Sequence, residues 1–218
     1  MKELIPIWKP KDISSYDVIR KIKSFDNNIK LGHCGTLDPF ASGVLLVCSG
    51  KNTKNISEYM SLSKVYTATI KLNEETDTLD YTGEIIKINN KNKITISKND
   101  IEKSILKLVG ENVPQVPPYY SAKKFYGLRM YQYARNNIFV RRKPVLVKIN
   151  SIDIADFSNE YIKINVKCGK GVYIRSIARD LAYNLNTCGH LVELTRTKIG
   201  EYDYSNCFKY EDLKNVCT

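Results

Sequence analysis

A single carboxylate, Asp38, stands in "LGHCGTLDPFASGVLLVCSG" between a glycine-bearing turn and a proline, just ahead of an apolar run at residues 44–48. Gly35 allows backbone geometry closed to other residues, so the turn before the carboxylate can be tight. Pro39 drives Asp38 away from the helical region and towards an extended conformation. A carboxylate held in this way on a rigid element is presented as catalytic groups are. An ordinary Asp-Pro turn has the same residues, and the spacing alone leaves both readings open.

A second stretch bears on binding. Residues 112–152 contain no Asp or Glu but carry Lys123, Lys124, Arg129, Arg135, Arg141, Arg142, Lys143 and Lys148. Tyr119, Tyr120, Tyr126, Tyr131 and Tyr133 and two phenylalanines lie among them. Cations meet phosphates and flat rings stack on unpaired bases, so the expected partner is a structured RNA or a single strand. The net charge of +11 over 218 residues points the same way. The alternative is a solvated basic face with half-buried tyrosines.

Other classes are disfavoured. The polar residues are not segregated as a membrane-surface helix requires, and the longest clean apolar run is far too short to span a bilayer. "MKELIPIWKPKD" lacks the apolar core of a targeting segment, so a cytoplasmic location is expected. The six cysteines (34, 48, 168, 188, 207 and 217) form no CxxC pair and read as thiols of a reducing compartment. His33–Cys34 and Cys188–Gly189–His190 have no second pair at zinc-finger spacing, so no metal site is expected.

The elements that must position these residues show mixed periodicities. "DISSYDVIRKIKSF" predicts a helix capped by Ser14 with Asp17, burying Val18, Ile19, Ile22 and Phe25. "VLLVC" predicts a buried strand. "KVYTATIKL" alternates, with Tyr66, Ala68, Ile70 and Leu72 on one face. "NDIEKSILKLVG" predicts a helix with Ile101, Ile105, Leu108 and Val109 inward, ending at Gly110. "NVPQVPPYY" is expected to be an extended connection. "PVLVKIN", "SIDIADF" and "EYIKINVKCG" are strand candidates, and "VYIRSIARDLAYNL" returns to helical spacing through Ile174, Ile177, Leu181 and Leu185. Strands and helices mix without strict alternation, so the expected class is α+β with a mixed sheet.

"GHCGTLDPFASGVLLVCSGKNTK" closely resembles the signature of the TruB family of RNA pseudouridine synthases, roughly G-H-x-G-x-L-D-P-x-A-x-G-x-L. The likeness recurs in the family's order along nearly the whole chain. "WKPKDISS" resembles its N-terminal K-P segment, and "SKVYTATIKL" with "ETDTLDYTGE" its tyrosine-bearing strand and T-D-T-x-D-x-x-G loop. "PPYYSAKKFYGLRMYQYAR" is similar to its insertion, "CGKGVYIRSIARDL" to its G-x-Y-(I/V)-R motif, and "CGHLVELTRTKIG" to its closing H-(L/V)-x-x-L-x-R segment. The resemblance implies a pseudouridine synthase fold: a largely antiparallel sheet flanked by helices, in one catalytic domain over 1–218 with a basic RNA-binding insertion at about 112–143.

It also implies a reaction on the flipped-out uridine of the TΨC loop of tRNA, without cofactor or metal. The base is detached, turned and rejoined to the ribose through carbon. Asp38 matches the catalytic aspartate, Tyr66 the active-site tyrosine that packs on the base and can act in proton removal, and Arg175 the arginine that pairs with the aspartate. Tyr173 and Leu194 match the uridine pocket, His33 a histidine that fills vacated stacking space, and Lys9 a supporting lysine. Without the family match, Tyr66, Tyr173 and Leu194 serve equally as core residues, Arg175 as a surface charge capping a helix, and His33 as a turn histidine. Lys123, Lys124, Arg129, Arg135, Arg141 and Arg142 are the expected RNA-backbone contacts.

Trp8 stands where the family's usual acidic neighbour precedes the lysine, and Cys34 where threonine is common. The chain closes soon after "LTRTKIG", so no C-terminal PUA domain is expected, and with it no guide RNA; a monomer acting on the tRNA T stem-loop is favoured. Two rivals remain. One is an RNA-binding protein without catalysis. The other is a carboxylate-dependent hydrolase, for which Asp77 and Asp80 are the candidates for a second acid.

Overall fold

The computed structural model describes residues 3–89 and 95–216; Cys217 lies outside them. In strand β1 (Leu4–Lys9), Ile5, Ile7 and Lys9 share one face and are fully buried. Helix α1 (Ser15–Lys23) begins as expected: the Ser14 hydroxyl accepts from the Asp17 amide while the Asp17 carboxylate accepts from the Ser14 amide. Val18, Ile19 and Ile22 are buried, whereas Phe25 falls beyond the helix and is 41% exposed. After β2 (Leu31–His33), strand β3 (Ser42–Ser49) is buried on both faces. Leu45 and Val47 pack with Ile5, Ile7 and α1, while Val44, Leu46 and Cys48 pack with Cys34 and Ile199. That two-sided burial is why "VLLVC" is an unbroken apolar run. Helix α2 (Ile56–Ser61) leads to β4 (Lys64–Leu72), where every second residue from Lys64 is buried.

Strands β5 (Glu74–Thr76) and β6 (Ile85–Ile88) form a hairpin. Helix α3 (Lys98–Leu106) is capped by Ser97 and Asp100 and stops before Leu108 and Val109, which lie in the approach to β7 (Gly110–Gln115). Of the proline-rich stretch, residues 112–115 are therefore strand where a connection is expected, while residues 116–120 are the expected connection. Pro114 pairs in register with Leu146 of β10 (Val145–Phe157), and β7 ends the strand order, where a missing amide donor is tolerated. Strands β8 (Lys124–Phe125) and β9 (Leu128–Arg129) flank Tyr126 and Gly127, both at positive φ, as in a two-residue hairpin turn, and α4 (Met130–Arg135) follows. The two strand candidates before "EYIKINVKCG" are one 13-residue strand, β10, irregular in register against β11 (Tyr161–Cys168). Helix α5 (Ile174–Asn184) and β12 (Gly189–Ile199) follow.

Short β13 (Tyr202–Asp203) and β14 (Phe208–Lys209) close the order. The chain divides into two compact units, one of Met1–Thr67 with Leu194–Thr218 and one of Ala68–Glu193. The first has the order β14-β1-β3-β12, with β2 on β3 and β13 on β12; β1·β14 and β3·β12 are parallel and the other pairs antiparallel. The second has the order β4-β11-β10-β7, with antiparallel β10·β11 and β10·β7. This is the expected α+β class with mixed, largely antiparallel pairing. Among the described residues, no helix is long and apolar enough to cross a membrane.

Candidate active site

Asp38 lies half-buried in the loop between β2 and β3 of the first unit, and the residues around it are tied down from three directions. Before it, the Ser15 hydroxyl at the start of α1 donates to the Leu37 carbonyl (3.0 Å) and accepts from the Leu37 amide (2.9 Å). After it, the Pro39 carbonyl accepts from the Asp12 amide (2.8 Å) and from Lys9 Nζ (3.2 Å). The Asp38 carbonyl itself accepts from the Ala41 amide (3.1 Å).

Lys9 has no solvent exposure, and a buried ammonium is costly unless its donors are used. Its remaining bonds go to the carbonyls of Pro10 and Ile13, both at 2.8 Å, so three donors meet three acceptors. Burial pushes the Lys9 ammonium down to about 8, opposed by the charge of Asp38 and assisted by that of Arg196.

Arg196, which the sequence reading did not single out, completes the third side. Its Nε donates to the Val44 carbonyl (2.7 Å), and its Nη1 and Nη2 to those of Thr36 (3.3 Å) and Gly35 (3.4 Å). In the parallel pairing of β3 and β12, Arg196 is opposite Gly43, whose φ is +120°. A Cβ at Gly43 would lie 2.2 Å from the Arg196 carbonyl oxygen, so only glycine admits this approach. The signal for Arg196 was available: period two from Leu194 puts it on the same face of β12.

The other predicted residues of this unit are placed by their strands. Leu194 is 3% exposed, one residue from Thr195, whose hydroxyl is 3.1 Å from that of Ser42. Tyr66 is 8% exposed in β4, and the neighbouring Val65 carbonyl accepts from the Thr197 hydroxyl of β12 (3.2 Å). His33 is half-buried at the end of β2, in register with Val47.

In the second unit, Arg175 is not a surface charge: it is 5% exposed in the first turn of α5. It donates to the carbonyls of Thr78 (2.8 Å) and Tyr120 (2.9 Å), and its Nη1 lies 3.5 Å from Asp80 Oδ2. The other Asp80 oxygen accepts from the Thr78 hydroxyl and from the Thr82 amide and hydroxyl. Gly83 closes that loop where a Cβ would meet Asp77 Oδ1 at 2.2 Å. The T-D-T-x-D loop is thus a scaffold for a buried ion pair, a role the sequence reading missed because the partners are far apart in the chain. Tyr173, just before α5, is held through its backbone: Gln115 accepts from its amide (2.8 Å) and donates to its carbonyl (3.2 Å).

Within the basic insertion, Lys124, Arg129, Arg135 and Arg141 are exposed, while Lys123 and Arg142 are half-buried. A cavity of about 210 Å³ is lined by Pro117, Phe125 and Met130 with Lys123, Lys124, Arg141, Arg142 and Lys143. Some cations also build the insertion. Arg142 donates to the Pro117 carbonyl (2.9 Å) and sits 3.4 Å from the Tyr119 ring centroid, and Arg129 donates to the Ala122 carbonyl. Cys34, Cys48, Cys168, Cys188 and Cys207 are free thiols, with the Sγ atoms of Cys34 and Cys48 3.3 Å apart. Among the described residues, no group of three or more His, Cys, Asp or Glu could hold a metal ion.

Comparison with known proteins agrees with this arrangement of motifs. Residues 20–174 match the TruB family pseudouridylate synthase N-terminal domain, and residues 175–218 match the tRNA pseudouridylate synthase B C-terminal domain. The chain is 44% identical over 202 residues to tRNA pseudouridine synthase B of Fusobacterium nucleatum subsp. nucleatum, covering 93% of this chain and 69% of that protein. It is 41% identical over 214 residues to the protein of the same name from Clostridium acetobutylicum, covering 98% and 72%. In the crystal structure of a Cbf5-Nop10-Gar1 complex, one chain superposes with a TM-score of 0.72 at 25% identity, over 97% of this chain and 53% of that one. The chain belongs to the TruB family of pseudouridylate synthases and has the pseudouridine synthase fold.

Proposed function

We propose that this chain isomerises the TΨC-loop uridine of tRNA to pseudouridine, with Asp38 as the catalytic carboxylate. The carrying observation is the loop around Asp38, tied at Gly35, Thr36, Leu37 and Pro39 by Arg196, Ser15, Lys9 and the Asp12 amide. A plain surface turn does not need two buried cations and a buried hydroxyl to hold it.

In the proposed reaction the bond from the ribose anomeric carbon to N1 breaks, and positive charge develops on the sugar. The ionised Asp38 stabilises or captures that charge. The uracil turns, its C5 joins the anomeric carbon, C5 loses its proton and N1 gains one. Tyr66 packs on the base and acts in the proton removal, and Arg175 belongs to the same machinery. Tyr173 and Leu194 bound the uridine, His33 occupies space the flipped nucleotide vacates, and Lys9 supports the aspartate's loop. The cations at 123, 124, 129, 135, 141 and 142 meet the phosphates of the T stem-loop. The protein acts as a monomer in the cytoplasm, without a guide RNA, cofactor or metal.

The test is pseudouridine formation in an unmodified tRNA transcript, mapped by position. Product at the T-loop uridine supports the reading. Bound RNA without product would leave an RNA-binding protein, and release of free uracil a hydrolase. Asp80 does not suit the second acid of a hydrolase, since both its oxygens are engaged by Arg175, Thr78 and Thr82.

A further inference from the structure

Arg196 and Lys9 have the largest fully buried side chains of the described residues. Taking a guanidinium out of water is costly, so a buried one is kept where its donors are used. The bonds of Arg196 show where they go. One planar fork holds Gly35 and Thr36 before Asp38 and Val44 after it, so both arms of the loop close on a single group.

We propose that Arg196 is a positioning residue for Asp38. This rests on the reading of Asp38 as the catalytic carboxylate. The fork is anchored at its own backbone by the close pass of Gly43, and between its two ends Ser15 fixes Leu37 from α1. The guanidinium offers five donors in the fixed directions of a planar fork, so one side chain can hold carbonyls on both arms of the loop. Lysine offers a single nitrogen on a flexible stem. It cannot reproduce three bonds that diverge to carbonyls on both arms of the loop.

The test compares the native protein with Arg196→Lys, Arg196→Gln and Ser15→Ala, assayed well below each variant's unfolding midpoint. Single-turnover rates of pseudouridine formation at saturating protein, tRNA Kd and thermal unfolding are measured. Arg196→Lys is expected to slow the rate about 100-fold, the cost of misplacing a reacting group by about an ångström. Arg196→Gln should lose at least as much, and tRNA Kd should stay within about three-fold in both, since an interaction acting on chemistry alone leaves binding intact. Ser15→Ala should lower the rate less, again with Kd unchanged, and the Ser15→Ala/Arg196→Lys pair should lose less than the product of the single losses, because both act on one loop.

A near-native rate in Arg196→Lys, with only the unfolding midpoint lowered, would make Arg196 a structural residue and overturn the proposal. Parallel loss of rate and of RNA affinity would assign it to binding, with the same result. If the Arg196 variants do not fold, a native rate in Ser15→Ala overturns the proposal that the clamp sets the rate. Absence of product from the native protein would instead sink the reading of Asp38 on which the proposal rests.

Discussion

The Lys9 ammonium donates to the carbonyl of Pro39, 3.2 Å away, and so ties the end of the first strand to the residue that follows Asp38. Together with its bonds to Pro10 and Ile13, this contact uses all three ammonium donors. A neutral amine has only two, so deprotonation must release one of the three carbonyls.

This makes the loop sensitive to alkali. Burial lowers Lys9 from 10.5 to about 8, so the rate of the chemical step should fall as pH rises through about 8. Stability from this group runs the other way. Between about 8 and 10.5 the unfolded chain holds the proton that the folded chain has released, so the contribution grows as pH rises and is lost as pH falls back through 8. Single-turnover rates and urea unfolding across this range check both trends. A flat rate with rising pH would show that the Lys9 charge is not needed.

Gly43→Ala should be strongly destabilising. The added methyl meets the Arg196 carbonyl oxygen at 2.2 Å, and alanine is strained at φ +120°. Strain and overpacking together should cost about 3 kcal/mol or more, lowering Tm by roughly 6 °C or more for a chain of this size. Thermal unfolding of the variant measures it, and an unchanged Tm would mean that β3 and β12 are not held this closely.

The insertion separates cations that meet solvent from those that build it. Arg141→Gln should leave stability within about 0.5 kcal/mol, as exposed substitutions do. It should also flatten the plot of log affinity for tRNA against log salt by about 0.7 to 0.9 for each phosphate no longer neutralised. Arg142→Gln should in addition destabilise the fold by about 1 to 3 kcal/mol, because the Pro117 bond and the Tyr119 ring interaction go with it. Fluorescence titrations at several salt concentrations, alongside unfolding curves, distinguish the two. Equal behaviour of the pair would contradict this division.

The periodic parts of the chain are legible in the sequence. Alternation in "KVYTATIKL" places Tyr66 inward, the Ser14–Asp17 box starts α1, and two-sided burial makes β3 an unbroken apolar run. The misses share a cause. "NVPQVPPYY" reads as a connection on its prolines, and residues 116–120 are one, yet residues 112–115 belong to β7: an edge strand tolerates a missing donor, and only pairing with β10 shows that β7 is one. β10 reads as two strands, and its register against β11 is irregular along its length. The motif residues of the candidate site are visible as residue types, but their supports are not. Arg196 holds carbonyls of residues 35, 36 and 44, and Arg175 those of 78 and 120. Every residue carries a carbonyl, so side-chain identity gives no sign of which ones a buried cation will reach.

The most direct measurement is pseudouridine formation by Asp38→Asn on an unmodified tRNA transcript, with Kd for the same RNA determined in parallel. Asparagine keeps the shape of the side chain and removes its charge. With Asp38 as the catalytic carboxylate, the variant should form no detectable product while its tRNA affinity stays within about three-fold of native, because the carboxylate acts on charge that forms only as the glycosidic bond breaks. Product formation at the native rate would take Asp38 out of the chemistry.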